Sequence, residues 1–472
     1  MMKVVVFGAG RFFDNRKWSF QEFEIVAFLD NNKKLQGTQK ETLKGDVPII
    51  APEKILELEY DAVVIMSLSV GEMREQLLSY SIPEEKIYRF AELKLMRTQQ
   101  NFQVYYGNDF VMEGETGKKV LLLTHELSLS GGPVVVLQYA RMLKKNGYHP
   151  IIASLEDGKL REDILREKTP LVICDNLSKY NTLMWNWMNS FDLIIANTVA
   201  FYYLAEQTYG TDMKIIWWLH DIFEKSAIVD WFPIDKISDN ISIYTGGRFV
   251  KEKFWENYGF ENMEVMLYGV PDRCPQNYMP CLKEDGKVVF AIVASVEPRK
   301  GQDVLADAIL ALSPEVRAQA EFFIIGKARN DYLQKFADEV AAKLEGVEEV
   351  KFLGEVDSDA LFELYENQID VVVCPSRNDP MPVVVTNGFM FQKACIVSDY
   401  TGQADFIEEK QNGFVFQNEN AQELAEKMQW IINNKTALPE IGAKARKLYD
   451  DIFSMEKFEE QAISAVNKKL RG

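Results

Sequence analysis

Apolar runs alternate with segments of helical period from one end of the chain to the other, and most runs stop at a glycine, serine, proline or acidic residue. Lys3-Val4-Val5-Val6-Phe7 runs into Gly8-Ala9-Gly10, and Ile25-Val26-Ala27-Phe28-Leu29 into Asp30. The same pattern returns at Val47–Ile50, Tyr60–Met66, Lys118–Leu123, Ile215–Leu219, Lys287–Val293 and Ile369–Val373. Strands buried on both faces read as unbroken apolar runs rather than as alternation, because both sides of the pleat face a core. Between them, PVVVLQYARMLKKNG from Pro133 places its apolar residues toward one face and stops at Gly147, which predicts a helix. Strands separated by helices predict an α/β fold with parallel sheets.

A chain of 472 residues is too long for one hydrophobic core, and the pattern cuts into three α/β blocks. Residues 1–95 form the first, 118–275 the second and 276–452 the third. Residues 96–117, MRTQQNFQVYYGNDFVMEGETG, are polar with scattered aromatics and no clear period, so they read as a linker. The tail, residues 453–472, carries FSMEKFEEQAISAVNKKL, an amphipathic helix suited to capping one of the blocks. In the first block, Asp30 follows the glycines by about 20 residues, the spacing of a ribose-binding acid after a pyrophosphate turn. Phe13 stands where a third glycine belongs. Two readings stay open: Gly8, Gly10 and Asp30 make a second nucleotide site, or the glycines only make a turn. The block resembles the small Rossmann-like nucleotide-binding domains found on sugar-modifying enzymes of polysaccharide pathways.

Composition narrows the classes. The chain is 47% hydrophobic and 26% charged, as in ordinary globular proteins. No apolar stretch reaches the roughly 18 residues of a membrane span. The start, MMKVVVFGAG, enters a strand and a glycine turn, unlike a signal peptide. Five cysteines contain no CxxC pair, which speaks against a zinc site or disulfide framework and for a reducing, cytoplasmic setting. A formal charge of −18 with no Lys/Arg cluster excludes nucleic acid as a partner and leaves anions to local cations and backbone amides.

Four constellations carry candidate chemistry. His125-Glu126-Leu127-Ser128-Leu129-Ser130-Gly131-Gly132 sets two glycines at a helix start, where amides and the helix dipole favour an anion. His220-Asp221 ends a strand, where sheet ligands bind. Glu297-Pro298-Arg299-Lys300-Gly301 puts adjacent cations at a strand-to-helix turn, suited to a diphosphate. Cys374 to Phe389, CPSRNDPMPVVVTNGF, offers Asp379 before a helix start, Pro382 in its first turn, and Asn387 further along; the amides of Met381, Val383 and Val384 are left for phosphate or sugar oxygens. No His/Cys/Asp/Glu group has metal-ligand spacing, so neither a metal nor a cofactor is expected.

The strings HELSLSGGP, IIWWLHD, MLYGVPD, EPRKGQD, VKFLGEV and PSRNDPMPVVVTNGF stand in the order and spacing of the family 4 glycosyltransferases, which residues 118–472 resemble. The resemblance implies two facing Rossmann-like domains (GT-B), here preceded by the third, small Rossmann-like block. It implies a nucleotide-diphosphate sugar held by the third block, an acceptor held by the second, transfer with retention of anomeric configuration, and a final helix crossing back to the acceptor domain. By the same resemblance Gly131 and Gly132 fall on the glycine loop near the diphosphate and sugar. His220 falls on the active-site histidine, Lys300 on the diphosphate lysine, Asp379 on a glutamate contacting sugar hydroxyls, and Asn387 on a glutamate contacting the ribose; His220 and Asp379 are the catalytic candidates. Pro382 and Val383 join the donor-binding set with Arg299.

Departures accompany these matches. Ser295 stands where the family has an arginine, leaving Arg299 to take its place. Asp379 is one methylene short of glutamate, a reach of roughly 1 Å. Asn387 lacks the charge, a loss on the order of 1 kcal/mol in nucleotide binding. The leading expectation is a metal-independent hexosyl- or related transferase of surface polysaccharide or glycoconjugate biosynthesis, acting on a glycan, glycoprotein or lipid-linked acceptor. The alternative is a non-catalytic glycosyltransferase-like partner or glycan-binding subunit that pairs with a sister transferase. Met184-Trp185-Asn186-Trp187-Met188 and Trp231-Phe232-Pro233 read either as core packing or as peripheral contact with the inner membrane face.

Overall fold

The computed structural model describes residues 1–14, 16–67, 69–90, 102–105, 117–174, 177, 186–220, 234–280 and 286–471. Three six- to eight-stranded sheets carry the fold. The first is built from β1 (Lys3–Phe7), β2 (Glu24–Leu29), β3 (Gln39–Thr42), β4 (Gly45–Ile50), β5 (Ala62–Ile65) and β6 (Ile87–Arg89), in the order β3-β4-β2-β1-β5-β6. The second holds β7 (Phe102–Tyr105), β8 (Lys119–Thr124), β9 (His149–Ser154), β10 (Leu171–Cys174), β11 (Leu193–Asn197), β12 (Ile215–Leu219), β13 (Ile241–Thr245) and β14 (Met263–Val265), ordered β14-β13-β12-β11-β8-β9-β10-β7. The third holds β15 (Val288–Val293), β16 (Ala320–Ile325), β17 (Val350–Gly354), β18 (Val371–Cys374), β19 (Ala394–Ser398) and β20 (Phe414–Phe416), ordered β17-β16-β15-β18-β19-β20. The architecture is α/β with Rossmann-like parallel sheets, as the alternation predicts.

Residue periodicity explains why the sheets are buried. Val4 and Val6 enter one cluster and Val5 and Phe7 another, so both faces of the first sheet are covered. In the third sheet Phe290 and Ile292 face one core while Val289 and Ala291 face the other. Successive side chains in a strand point to opposite faces, so an unbroken apolar run supplies two cores at once.

All three sheets share one winding. In each, an inner strand (β1, β8 or β15) is followed by strands on one side of it, and the chain then returns to its other side; in the second sheet the antiparallel edge strand β7 comes before this winding. Thus β1 lies between β2 and β5, β8 between β9 and β11, and β15 between β16 and β18, all paired in parallel. In such sheets ligands settle beyond the strand C-termini where the order reverses, because the two loops there diverge and leave a crevice. The turns flanking that crevice follow β1 and β5 in the first sheet, β8 and β11 in the second, and β15 and β18 in the third.

Two edge strands carry no legible hydrophobic pattern. Gln39–Thr42, QKET, pairs antiparallel with β4 at the rim of the first sheet. Phe102–Tyr105 lies inside the stretch read as a linker, yet pairs antiparallel with β10. Edge strands need not bury either face, so hydrogen bonding to a neighbour, invisible in sequence, decides their state. Of the stretch read as a linker, residues 102–105 and 117 are described, and 96–101 and 106–116 lie outside the described residues.

The chain divides into two compact units, Met1–Trp217 with Pro233–Ser242 and Val466–Gly472, and Trp218–Phe232 with Ile243–Ala465. The final helix, Met455–Arg471, therefore contributes to both. Within the first unit its end is fastened by Tyr148 Oη donating to Asn467 Oδ1 at 2.8 Å, Lys214 Nζ to the Leu470 carbonyl at 2.9 Å, and Lys469 Nζ to the Asp239 carbonyl at 2.8 Å. Among the described residues no helix is long and apolar enough to cross a membrane, and no disulfide joins the described cysteines.

Candidate functional site

The third sheet assembles the densest polar cluster at its crevice. After β15 the chain makes a single turn of 3-10 helix, Pro298–Lys300, that ends at Gly301 with φ +72°. A Cβ at residue 301 would lie 2.0 Å from the Pro375 carbonyl oxygen, so only glycine lets this turn touch the one after β18. Across that contact Lys300 Nζ donates to Asp379 Oδ2. Arg299 Nη1 approaches the same carboxylate at 3.7 Å, donates to the Asn378 carbonyl at 3.0 Å, and its Nη2 reaches Glu297 at 3.1 Å. Arg299, Lys300 and Asp379 are thus brought together. Ser295 donates its hydroxyl to Glu297 at 3.2 Å.

Asp379 is held through its backbone as well. Its amide donates to the Tyr400 carbonyl at 3.1 Å and its carbonyl accepts from Gly402 at 3.0 Å. The helix that follows is Val383–Met390, and Pro382 is its N-cap, with φ −62° and ψ 121°, rather than a residue of the first turn. Proline's fixed φ suits either place, and the Pro382 carbonyl accepts from Val385 at 3.1 Å and from Gln403 Nε2 at 2.9 Å. Amides at the start of a helix have no partner within it, which leaves Val383 and Val384 as donors toward the crevice end of the sheet. Asn387 lies one turn on, 5% exposed, with Oδ1 buried and unpartnered among the described residues. No hydrogen bond joins it to the Lys300–Asp379 pair among the described residues. A buried acceptor without a donor is costly, roughly 1–3 kcal/mol, and a ligand hydroxyl would relieve it.

His220 closes β12. Its ring lies 4.2 Å from Trp218 and 6.2 Å from Tyr268, and Nε2 is shielded and unpartnered among the described residues. Burial pushes its pKa down to about 3, so the imidazole is neutral at physiological pH. A Cβ at Gly246 would stand 2.8 Å from Nδ1, so the glycine makes room for the ring. Tyr268 donates its hydroxyl to the Met381 carbonyl, which ties the surroundings of the histidine to the Asp379 loop. Burial, then the charge of Asp379, raises the Tyr268 hydroxyl well above its ordinary value. Asp221, Met184, Trp185, Trp231, Phe232 and Pro233 lie outside the described residues. Of the first aromatic segment, Met188 is buried and Trp187 packs edge-on against Phe191.

Gly131 and Gly132 begin the helix Gly131–Lys145 beside the second sheet's crevice. Across the reversal, Asn197 Nδ2 donates to the Gly132 carbonyl at 3.2 Å while its Oδ1 is buried and unpartnered among the described residues. A Cβ at Gly131 would meet nothing within 4 Å, so the protein's own packing does not require glycine there. In the first sheet Gly8 has φ +113°, and a Cβ there would lie 2.5 Å from the Met66 carbonyl oxygen. Asp30 Oδ2 accepts from the Ala9 amide at 3.0 Å and so braces the glycine turn, while Oδ1 accepts from the Asn32 amide of its own loop at 2.9 Å. Gly10 has open space about its Cα.

Sequence reasoning missed several groups. Arg377 donates to both oxygens of Asp303 at 3.0 and 2.8 Å, to Glu419 at 2.7 Å and to the Pro298 carbonyl, locking together the turns that carry Lys300 and Asp379. Hydrogen bonding to Asp303 raises its pKa far above the ordinary value, while burial lifts Asp303 but the guanidinium outweighs it and leaves the acid below its usual range. Tyr268, Gly246 and Asn197 also escaped notice. The Gly246-Gly247 pair after a strand was the available signal; the others show only in three dimensions. Among the described residues no three His, Cys, Asp or Glu side chains gather to hold a metal ion.

Comparison with known proteins gives these clusters a context. Residues 280–448 match the family described as glycosyl transferases group 1, residues 116–239 match glycosyl-transferase family 4, and residues 1–88 match the C2185-like N-terminal family. An uncharacterized glycosyltransferase of Methanocaldococcus jannaschii, MJ1178, is 23% identical over 211 residues, 44% of this chain and 54% of that one. The poly(ribitol-phosphate) alpha-N-acetylglucosaminyltransferase of Staphylococcus aureus is 33% identical over 98 residues, 21% of this chain. The chain thus spans about half of the first relative's length and 20% of the second's. Among solved structures, Anabaena Alr3699/HepE in complex with UDP superposes with a TM-score of 0.63 at 19% identity, covering 74% of this chain and 100% of that one. A glycosyltransferase from Rickettsia africae gives 0.60 at 18% identity over 76% of this chain and 100% of that one. The chain carries a glycosyl transferases group 1 domain and a glycosyl-transferase family 4 domain in a GT-B fold.

Proposed function

We propose that the protein transfers a sugar from a nucleotide-diphosphate sugar to a glycan, glycoprotein or lipid-linked acceptor in surface polysaccharide or glycoconjugate biosynthesis, with retention of configuration and without a metal. The observation that carries this reading is the third sheet's crevice, where Lys300 and Arg299 converge on Asp379 ahead of a helix N-terminus. At rest the two cations are balanced by Asp379 and Glu297, so a diphosphate would draw them from these carboxylates, and the helix amides add donors where charge develops on the departing nucleoside diphosphate. The solved neighbours include one crystallised with UDP-glucose, which accords with such a donor. Asp379 would then exchange its ion pair for sugar hydroxyls, His220 would present a neutral imidazole near the transferred sugar, and Asn387 would meet the ribose. A cytoplasmic setting follows from soluble nucleotide sugars as donors.

A second reading, a partner without catalysis, draws on Ser295 and on the closed Lys300–Asp379 pair, which a donor must first open. A panel of nucleotide sugars with Lys300→Ala separates the two. Transfer by the wild type, abolished in the variant, supports the enzyme. Absence of transfer and of hydrolysis across the panel, with no nucleoside diphosphate binding by calorimetry, overturns it. Because removing Lys300 strands a buried carboxylate at about 3 kcal/mol, the double variant Lys300→Ala/Asp379→Ala serves as the stability control.

A further inference from the structure

Among the described residues, a side chain of the first domain reaches the glycine loop of the second sheet. Arg16 Nη2 donates to Glu126 Oε2 at 3.2 Å, and both side chains are largely buried. Arg16 is held in place from its own side: its guanidinium lies 4.3 Å over the Phe12 ring and 5.6 Å from Phe90, and those rings meet edge-on at 5.8 Å. Cation–π contact of this kind orients a guanidinium without using its donors. Phe12 belongs to the short helix directly after the Gly8–Gly10 turn.

On the other side Glu126 is a hub. Its Oε1 accepts from Ser128 Oγ at 2.5 Å, and lies 3.5 Å from Ser130 Oγ and 3.8 Å from His125 Nε2. Ser128 Oγ in turn bonds Ser130 Oγ at 2.8 Å and accepts from the Ser130 amide at 3.3 Å. Ser130 is the N-cap before Gly131, yet its side chain makes no capping bond to the helix. The start of the helix is therefore braced by the carboxylate of Glu126 rather than by its own cap, and the carboxylate is oriented by Arg16.

We propose that the first domain positions the glycine loop of the transferase, with Arg16 as the positioning residue acting through Glu126 and Ser128 on Ser130 and Gly131. This rests on the reading of Gly131 and Gly132 as part of a sugar-transfer site. It gives the domain a role whether or not its own glycine turn holds a nucleotide. Charge-assisted bonds gain strength when partly desolvated, so one interdomain pair can set the order of a short loop.

Hydrogen exchange on the full chain tests this without needing activity. In Arg16→Gln, exchange across residues 126–137, where the Val134 amide donates to the Ser130 carbonyl at 3.3 Å, rises roughly fivefold, while the helix Gln302–Ala311 is unchanged. Arg16→Lys retains most of the protection, and Arg16→Gln/Glu126→Gln exchanges no faster than Glu126→Gln alone, because the two act in series. If Arg16→Gln also loosens Lys3–Phe7, the comparison passes to Glu126→Gln, which lies outside the first domain. Protection across 126–137 that is indifferent to Arg16, or a double variant that sums the two effects, overturns the proposal. With a transferring wild type, kcat/KM falls by a similar factor in Arg16→Gln; a wild type that transfers nothing sinks the proposed function and leaves the exchange result standing.

Discussion

Single atoms decide what the candidate site can hold. Asn387 is buried with an unpartnered oxygen, so restoring the acid has opposite effects with and without ligand. Asn387→Glu lowers the melting temperature of the free protein, since a buried carboxylate lacks a partner, and enlarges the stabilisation by saturating UDP by roughly 1 kcal/mol; thermal shift measures both. Gly246→Ala places a methyl group where it meets His220 Nδ1, so the ring must move. A tenfold drop in kcat, on the order expected for a sub-ångström misplacement, with unchanged UDP binding by calorimetry, is the expected result. The histidine also sets a pH dependence. Its folded pKa of about 3 lies below its unfolded value, so between about pH 6.5 and 3 the unfolded chain binds the extra proton and stability falls as pH falls. In His220→Gln the stability lost between pH 7 and 5 shrinks by roughly 2 kcal/mol in chemical denaturation. Lys300, Asp379 and the glycine pair stood out in the sequence because they fall within ordered strings at strand ends, HELSLSGGP, EPRKGQD and PSRNDPMPVVVTNGF, that resemble those of the family 4 glycosyltransferases. Tyr268 and Asn197 did not, because a tyrosine or asparagine acquires its meaning only from the carbonyl it faces.

At the scale of elements, the crevice of the third sheet is shaped by two turns that are distant in sequence and joined by Arg377. Its guanidinium spans Asp303, Glu419 and the Pro298 carbonyl, where a surface arginine would contribute little. Arg377→Gln removes the bidentate pair, costs about 2 kcal/mol by denaturant unfolding, and raises the KM for donor more than it lowers kcat, because the turn carrying Lys300 loses its brace. The strands β1, β8 and β15 were legible from unbroken apolar runs, since parallel strands bury both faces. The edge strands β3 and β7 were not, because their order comes from a neighbour's backbone.

Across the whole molecule, the same winding appears in three sheets, and each sets a pair of turns at its reversal. The final helix fastens the chain's end to the segment that holds the second sheet: shortening the protein to Ala465 removes the bonds of Asn467, Lys469 and Leu470 and exposes the site of buried Val466. The expected loss is roughly 2–3 kcal/mol, seen as a melting temperature lower by about 5 °C in calorimetry. By itself the sequence determined the α/β class, the sheets' inner strands and the turns that carry Gly131, His220, Lys300 and Asp379, because burial on both faces and chemistry at strand ends are local properties. Only the tertiary structure decided that Lys300 and Arg299 share Asp379, that Arg377 couples their turns, and that Arg16 reaches Glu126. Those are pairings between residues 79, 74 and 110 positions apart, and no local pattern encodes which strand end will lie beside which.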